Sequence, residues 1–450
     1  MIAWFHHLYA ENQPKKKEGS MSLFNAKEFQ LKNGLKIILI KQLSQAITVN
    51  ILYKIGTADD PEGYIGLSHF LEHMMFRGTK KYPGTTFKDK VSKIGGYINA
   101  FTSFDMTCYE NRVPMNHLEE ILEMEADRMT ELAFNKKDVD FERKAVEEEY
   151  RARIVNSAFG PIEEVIYRNT YLYHPYGILP IGYPHHIKAY TKENALAWYK
   201  KWYHPNNAIV IIAGDIDFDT TLAMVEKYFG SLKTKTLPQR TRVKEPDIKG
   251  ATRYIKQENE RFAFPVIEFI YDAPKKDYVY DFARYMLGGG TLSLFYNHFV
   301  RKLNNGIQNV SIYYHFMLDD PNNIAICFEV SPNVNLQQVV FDTFQQYKQE
   351  LLAGYLESDA FKERFETAKT RIIGNLIHRT DGTLNAAENF ILMAYDISFQ
   401  DINHYADILR KITLDDVKQT IKVILAQKPK VVFIGVPSST TPSQYAVRME

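Results

Sequence analysis

His69, Glu72 and His73 read His-x-x-Glu-His. On a helix the two histidines stand one turn apart on one face, so their imidazoles can share a single divalent ion. Imidazole suits zinc, and Glu72, between them in sequence, is close enough to take a proton from a water on the ion. The order is the reverse of the His-Glu-x-x-His arrangement found in hydrolytic zinc sites. The plainer reading is an ordinary helix carrying two core or solvated histidines, and five residues alone do not separate the two. Phe70, Leu71, Met74 and Met75 can bury the rest of such a helix, and Gly78 is placed to end it.

A catalytic zinc site needs a third protein ligand and an open position for water. Nothing beside the two histidines offers that ligand. The best supply is the helix expected over Lys136–Val155, with Asn135 as its N-cap. Glu142 and Glu149 lie two turns apart on one of its faces, with Ala145 between them and Ala152 beyond, and small neighbours allow a close approach. Glu148 competes, because it shares a face with Phe141, Ala145 and Ala152. Glu147 suits a solvated surface. Spacing leaves Glu148 and Glu149 both open.

The elements that must position these groups follow in chain order. Lys27–Ile40 reads as a hairpin turning at Asn33-Gly34, and Ile47–Ile55 as a further strand. Phe87–Ile94 is a short amphipathic helix ended by Gly95-Gly96. Tyr97–Val113 alternates as two strands around Ser103-Phe104-Asp105, and Asn116–Leu132 is helical. Residues 231–250 are basic, polar and interrupted by Pro238 and Pro246, which marks a linker. The organisation expected is an N-terminal extension over 1–25, a metal-bearing domain over 26–230, that linker, and a second domain over 251–450.

The two halves read as one unit used twice. Thr191 opens a helix that feeds the strand AIVIIAGDI, and Thr413 opens one that feeds KVVFIGV. FLEHM at Phe70–Met74 aligns with FARYM at Phe282–Met286. His69, Glu72 and His73 then correspond to Asp281, Arg284 and Tyr285. The second copy keeps the apolar frame and loses every metal group, as expected of duplicated domains with one emptied site.

Composition sets outer bounds. The chain has 450 residues, 45% hydrophobic and 24% charged, ordinary proportions for a globular protein of several domains. Fifty-five basic side chains face 54 acidic ones, so no overall field points to nucleic acid or an anionic membrane. The 2 cysteines, Cys108 and Cys327, lie in separate apolar runs and read as buried thiols. No apolar run approaches the ~18 residues of a membrane helix, and the first residues do not form a convincing leader. The expectation is a soluble protein, with the compartment open.

With these residues in place, the chain resembles the pitrilysin/insulinase-type zinc peptidases. It is most similar to their short two-domain bacterial members and to the catalytic subunit of the mitochondrial processing peptidase. The resemblance runs from about Glu28 through LKNGLKIILI, GLSHFLEHMMFRGT, GGYINAFTSFDMTCYE, the Glu-Arg-x-x-Val-x-x-Glu run from Glu142, HPYG and WYHPNNAIVIIAGDID. It implies an α/β fold of the α+β type: two homologous domains, each a largely antiparallel sheet backed by helices, facing each other across a cleft. It implies one zinc ion per chain on His69, His73 and Glu149, thereby preferring Glu149 to Glu148. Glu72 would be the general base and Glu142 the supporting carboxylate. Asn99, Ala100, Phe101 and Thr102 would form an edge strand to which substrate peptide adds. The family also carries an Arg and a Tyr in its second domain. Here Gly288-Gly289-Gly290 is followed by Arg301 and Gly306, which fit loosely, and Asn309 stands where Tyr is expected. That departure implies a heterodimer with a related non-zinc subunit supplying the Arg/Tyr pair, or a substitute in Tyr313 or Tyr314. The alternative function is a non-catalytic core or scaffold subunit; His69, Glu72, His73, Glu142 and Glu149 are all retained, which argues against it.

Overall fold

The structure is a computed structural model describing residues 22–157, 159–246, 251–314, 322–332, 334–438 and 447. Most of the expected N-terminal extension (1–21) and the end of the linker (247–250) lie outside the described residues.

Two sheets organise the chain. The first has six strands: β1 (Ala26–Gln30), β2 (Lys36–Lys41), β3 (Ala46–Tyr53), β4 (Tyr97–Thr102), β5 (Thr107–Pro114) and β6 (Ala208–Gly214), in the order β1-β2-β6-β3-β5-β4. The expected hairpin is β1–β2, paired antiparallel. Its turn uses Gly34 at φ 81°, a left-handed conformation that favours glycine. The inner strand β6, AIVIIAG, is buried along its whole length, which is why it reads as an unbroken apolar run instead of an alternating one.

The second sheet has five strands: β7 (Arg253–Asn259), β8 (Val266–Ala273), β9 (Ile307–Tyr314), β10 (Asn322–Val330) and β11 (Val431–Pro437), in the order β7-β11-β8-β10-β9. Without β1, the two sheets have the same order and the same strand senses. One parallel pair (β2 with β6, β7 with β11) is followed by three antiparallel pairings. The duplication read from FLEHM and FARYM is thus also a duplication of sheet topology. In the second copy, the helix Tyr278–Gly288 uses its polar groups internally, Arg284 pairing with Asp281 at 2.9 Å.

Helices back each sheet. α1 (Leu67–Met74), α2 (Thr86–Lys93), α3 (Leu118–Thr130), α4 (Lys136–Tyr150) and the helix Lys192–Trp202 belong with the first sheet, and α5 (Gly160–Thr170) with the second. The compact units are not two contiguous stretches. The first takes residues up to Ala152, Ile178–Arg242 and Leu376–Ala406; the second takes Arg153–Gly177, Val243–Asn375 and Asp407 onward. Each sheet therefore receives a helix from the other half of the sequence. In the first unit the helix Thr383–Phe390 is bonded to β3 through Thr383 and Thr48 (3.0 Å). In the second, Ile162 of α5 packs with Phe262 and Phe433. Residues 231–246 carry neither helix nor strand. Arg242 is held in the first unit by Asp59 and Asp105 (2.7 and 2.6 Å), and in the second unit Glu245 accepts the N–H groups of Leu172, Tyr173 and His174. Cys108 and Cys327 are free and buried. No helix among the described residues is long and apolar enough to cross a membrane.

Candidate metal centre

α1 forms because its sequence has one apolar side and a prepared start. Leu67, Phe70, Leu71 and Met74 are buried, and Phe70 lies against Tyr190 with ring centroids 4.9 Å apart. Gly66, at φ 98°, lets the chain enter the helix where a Cβ would meet the Tyr190 hydroxyl at 2.5 Å. The buried Asp60 carboxylate closes the helix start. It accepts the Gly66 N–H (2.7 Å), the Ser68 N–H (3.1 Å) and the Ser68 hydroxyl (2.6 Å), and Trp198 Nε1 donates to Ser68 Oγ at 2.9 Å. These donors satisfy the Asp60 carboxyl at the helix start, although burial outweighs their pull and raises it to about 8. Asp60, Ser68 and Trp198 were not singled out by motif spacing. Asp60 precedes the helix by a loop, and its role depends on how that loop folds back.

α4 begins as expected, with Asn135 and Asp138 forming a capping box, and continues past Tyr150 as a π-helical turn over Arg151–Val155. It turns Glu149 toward α1. Glu149 Oε2 lies 3.6 Å from His69 Nε2 and 3.3 Å from His73 Nε2. Glu148 points away, largely exposed, and is paired with Arg151. The two imidazoles are nearly perpendicular, 4.9 Å between centroids. One donor atom from each of His69, His73 and Glu149 lies within 4.8 Å of the others, and this is the one such group of His, Cys, Asp and Glu among the described residues.

The donors fit zinc. Tetrahedral coordination with bonds of roughly 2.0–2.1 Å places neighbouring ligand atoms about 3.3–3.4 Å apart, and only three protein donors leave a fourth position open. The support behind them fits as well. His73 Nδ1 is 3.0 Å from Glu142 Oε2, so the ring can donate there and leave Nε2 to face Glu149. Arg77, one turn beyond His73, holds the other Glu142 oxygen through Nε (2.5 Å) and stacks over the Phe141 ring at 4.4 Å. Burial works to raise the Glu142 carboxyl, but His73 and Arg77 outweigh it and hold it below its ordinary value. Burial works to lower the His73 imidazole, but bonds to Glu142 and Glu149 and the charge of Glu72 lift it to about 9. Arg77 was also missed from sequence; its spacing of four from His73 was the available signal.

Glu72 is buried, with Oε2 accepting the Thr102 hydroxyl at 2.6 Å. Thr102 ends β4, which carries Asn99, Ala100 and Phe101 and is the outermost strand of its sheet, paired only with β5 among the described strands. In the second unit, Asn309 donates to Glu329 (3.1 Å), and the exposed Arg301, on the π-helical segment Tyr296–Leu303, bonds Asn297 (3.2 Å). The Tyr314 hydroxyl donates to the Pro274 carbonyl at 2.8 Å, while Tyr313 is half exposed.

Known proteins resemble this chain over most of its length. The profile described as Insulinase (Peptidase family M16) matches residues 36–177, and that described as Peptidase M16 inactive domain matches residues 189–364. Zinc protease PqqE of Helicobacter pylori is 31% identical over 315 residues, covering 68% of this chain and 70% of that protein. A probable mitochondrial-processing peptidase subunit beta of Arabidopsis thaliana is 26% identical over 209 residues, 45% of this chain and 38% of that one. The crystal structure of a protease from Helicobacter pylori superposes with a TM-score of 0.81 at 24% identity, covering 92% of this chain and 100% of that one.

Proposed function

Because this chain belongs to the insulinase-like peptidases of family M16, we propose that it is a zinc-dependent endopeptidase hydrolysing extended peptides or unfolded protein segments. The observation that carries this reading is the convergence of His69, His73 and Glu149 on one point, with Glu72 held beside them by Thr102. One zinc ion per chain is held by those three residues. When bound, the metal supplies Lewis acidity to a water molecule and to the scissile carbonyl.

Glu72 is the general base that takes the water's proton and returns it to the leaving amine. Glu142 orients His73 through Nδ1, and Arg77 orients Glu142. The open edge of β4, from Asn99 to Thr102, pairs with substrate backbone. Main-chain pairing holds an extended peptide without requiring one side-chain sequence. The retained set His69, Glu72, His73, Glu142 and Glu149 argues against the scaffold reading.

The test is Glu72→Gln. The variant is expected to bind zinc as the parent does and to lose hydrolysis of a quenched-fluorophore peptide by 10²-fold or more. A variant that cleaves as fast as the parent ends this assignment of Glu72.

A further inference from the structure

β4 has two faces. Asn99 and Phe101 share one, Ala100 and Thr102 the other. The Thr102 side chain turns inward. Its Oγ1 lies 2.6 Å from Glu72 Oε2 and 3.3 Å from Thr107 Oγ1, its cross-strand partner. Thr107 is fully buried, and its hydroxyl donates to the Ile55 carbonyl at 3.0 Å. Its one proton is therefore committed. An ionised carboxylate can only accept, so the Thr102 hydroxyl donates to Glu72. The turn that joins β4 to β5 is closed by a bond from Ser103 N–H to the Met106 carbonyl at 2.8 Å, which fixes the strand end that carries Thr102.

We propose that Thr102 is a positioning residue for the general base. Its hydroxyl ties Glu72 Oε2 to the end of the edge strand and so fixes the carboxylate that meets the attacking water. This inference rests on the peptidase reading and deepens it. The strand that lines up the substrate backbone also sets the base, so the scissile bond and the proton acceptor are referenced to one rigid hairpin. A misplacement of about 1 Å between reacting groups can cost on the order of 10²-fold in rate, and a shared strand removes that freedom.

The experiment compares Thr102→Val, which keeps the shape and removes the hydroxyl, with Thr102→Ser, which keeps the hydroxyl. Steady-state hydrolysis of a fluorogenic peptide and zinc content are measured for each and for the parent. Thr102→Val is expected to lower kcat by about 10- to 100-fold with KM and zinc content unchanged, and Thr102→Ser to recover most of the loss. A raised KM with kcat intact would make Thr102 a substrate contact instead. Loss of zinc in Thr102→Val, or failure of serine to rescue, would make its role structural. Unchanged kinetics would overturn the inference while leaving the peptidase reading in place. A zinc-loaded parent that cleaves nothing, either alone or with a related non-zinc subunit carrying the Arg/Tyr pair, would overturn both.

Discussion

At the scale of single residues, the candidate centre depends on a chain of orientation: Arg77 holds Glu142, Glu142 holds His73, and His73 faces Glu149. Partners behind a metal ligand fix its tautomer and direction, and losing one typically costs 10–100-fold in metal affinity. Glu142→Gln keeps the shape and removes the charge. Zinc affinity, read by competition with a chelating dye, is expected to fall within that range while the fold is retained. Unchanged affinity would mean that His73 is oriented by something other than Glu142. Local spacing did not decide between Glu148 and Glu149, since a third ligand is chosen by how α4 docks on α1. By contrast, the placement of His69 and His73 on one face was legible at once, because a helix turn puts them together regardless of what surrounds it.

At the scale of elements, many strands and the repeated unit were legible, and the strand order within each sheet was not. Turn residues, apolar runs and the repeated Thr-capped helix before β6 and β11 marked the duplicated unit. The exchange of helices between halves was not legible. An amphipathic pattern tells which side of α5 is apolar, and says nothing about which sheet receives it. That helix covers a cavity of about 330 Å³ lined by Glu163, Glu268, Glu329 and Tyr313. Burial pushes the Glu268 carboxyl up to about 7; Cys327 opposes the shift and Glu163 adds to it. An acid whose folded value is raised holds its proton in the native state after the unfolded chain has lost it. Its stabilising contribution is therefore full below about 4.5, the ordinary glutamate value, and is lost as pH rises toward 7. Thermal unfolding followed from pH 4.5 to 7.5 should show the parent losing stability across this window and Glu268→Gln losing less. Equal slopes would exclude Glu268 as the source.

At the scale of the whole molecule, one unit carries the donor set, and among the described residues the other has no counterpart to it. In the second unit, Asn309 is engaged with Glu329 and the Tyr314 hydroxyl with Pro274. An oxyanion needs donors besides a metal, and one missing donor costs about 10²- to 10³-fold in rate. We therefore expect the chain to be a weak peptidase alone and to gain activity when titrated with a related non-zinc subunit that carries the Arg/Tyr pair. Strong activity alone that is lost in Tyr313→Phe would instead make the chain self-sufficient. The central claim, that His69, His73 and Glu149 hold one zinc ion, is tested most directly by metal analysis of the purified chain beside His73→Ala and Glu149→Gln, all dialysed alike. The account predicts about one zinc per parent chain, at least tenfold less in both variants, and circular dichroism unchanged among the three. A parent that takes up no zinc even when it is supplied, or variants that keep the full amount, would contradict it.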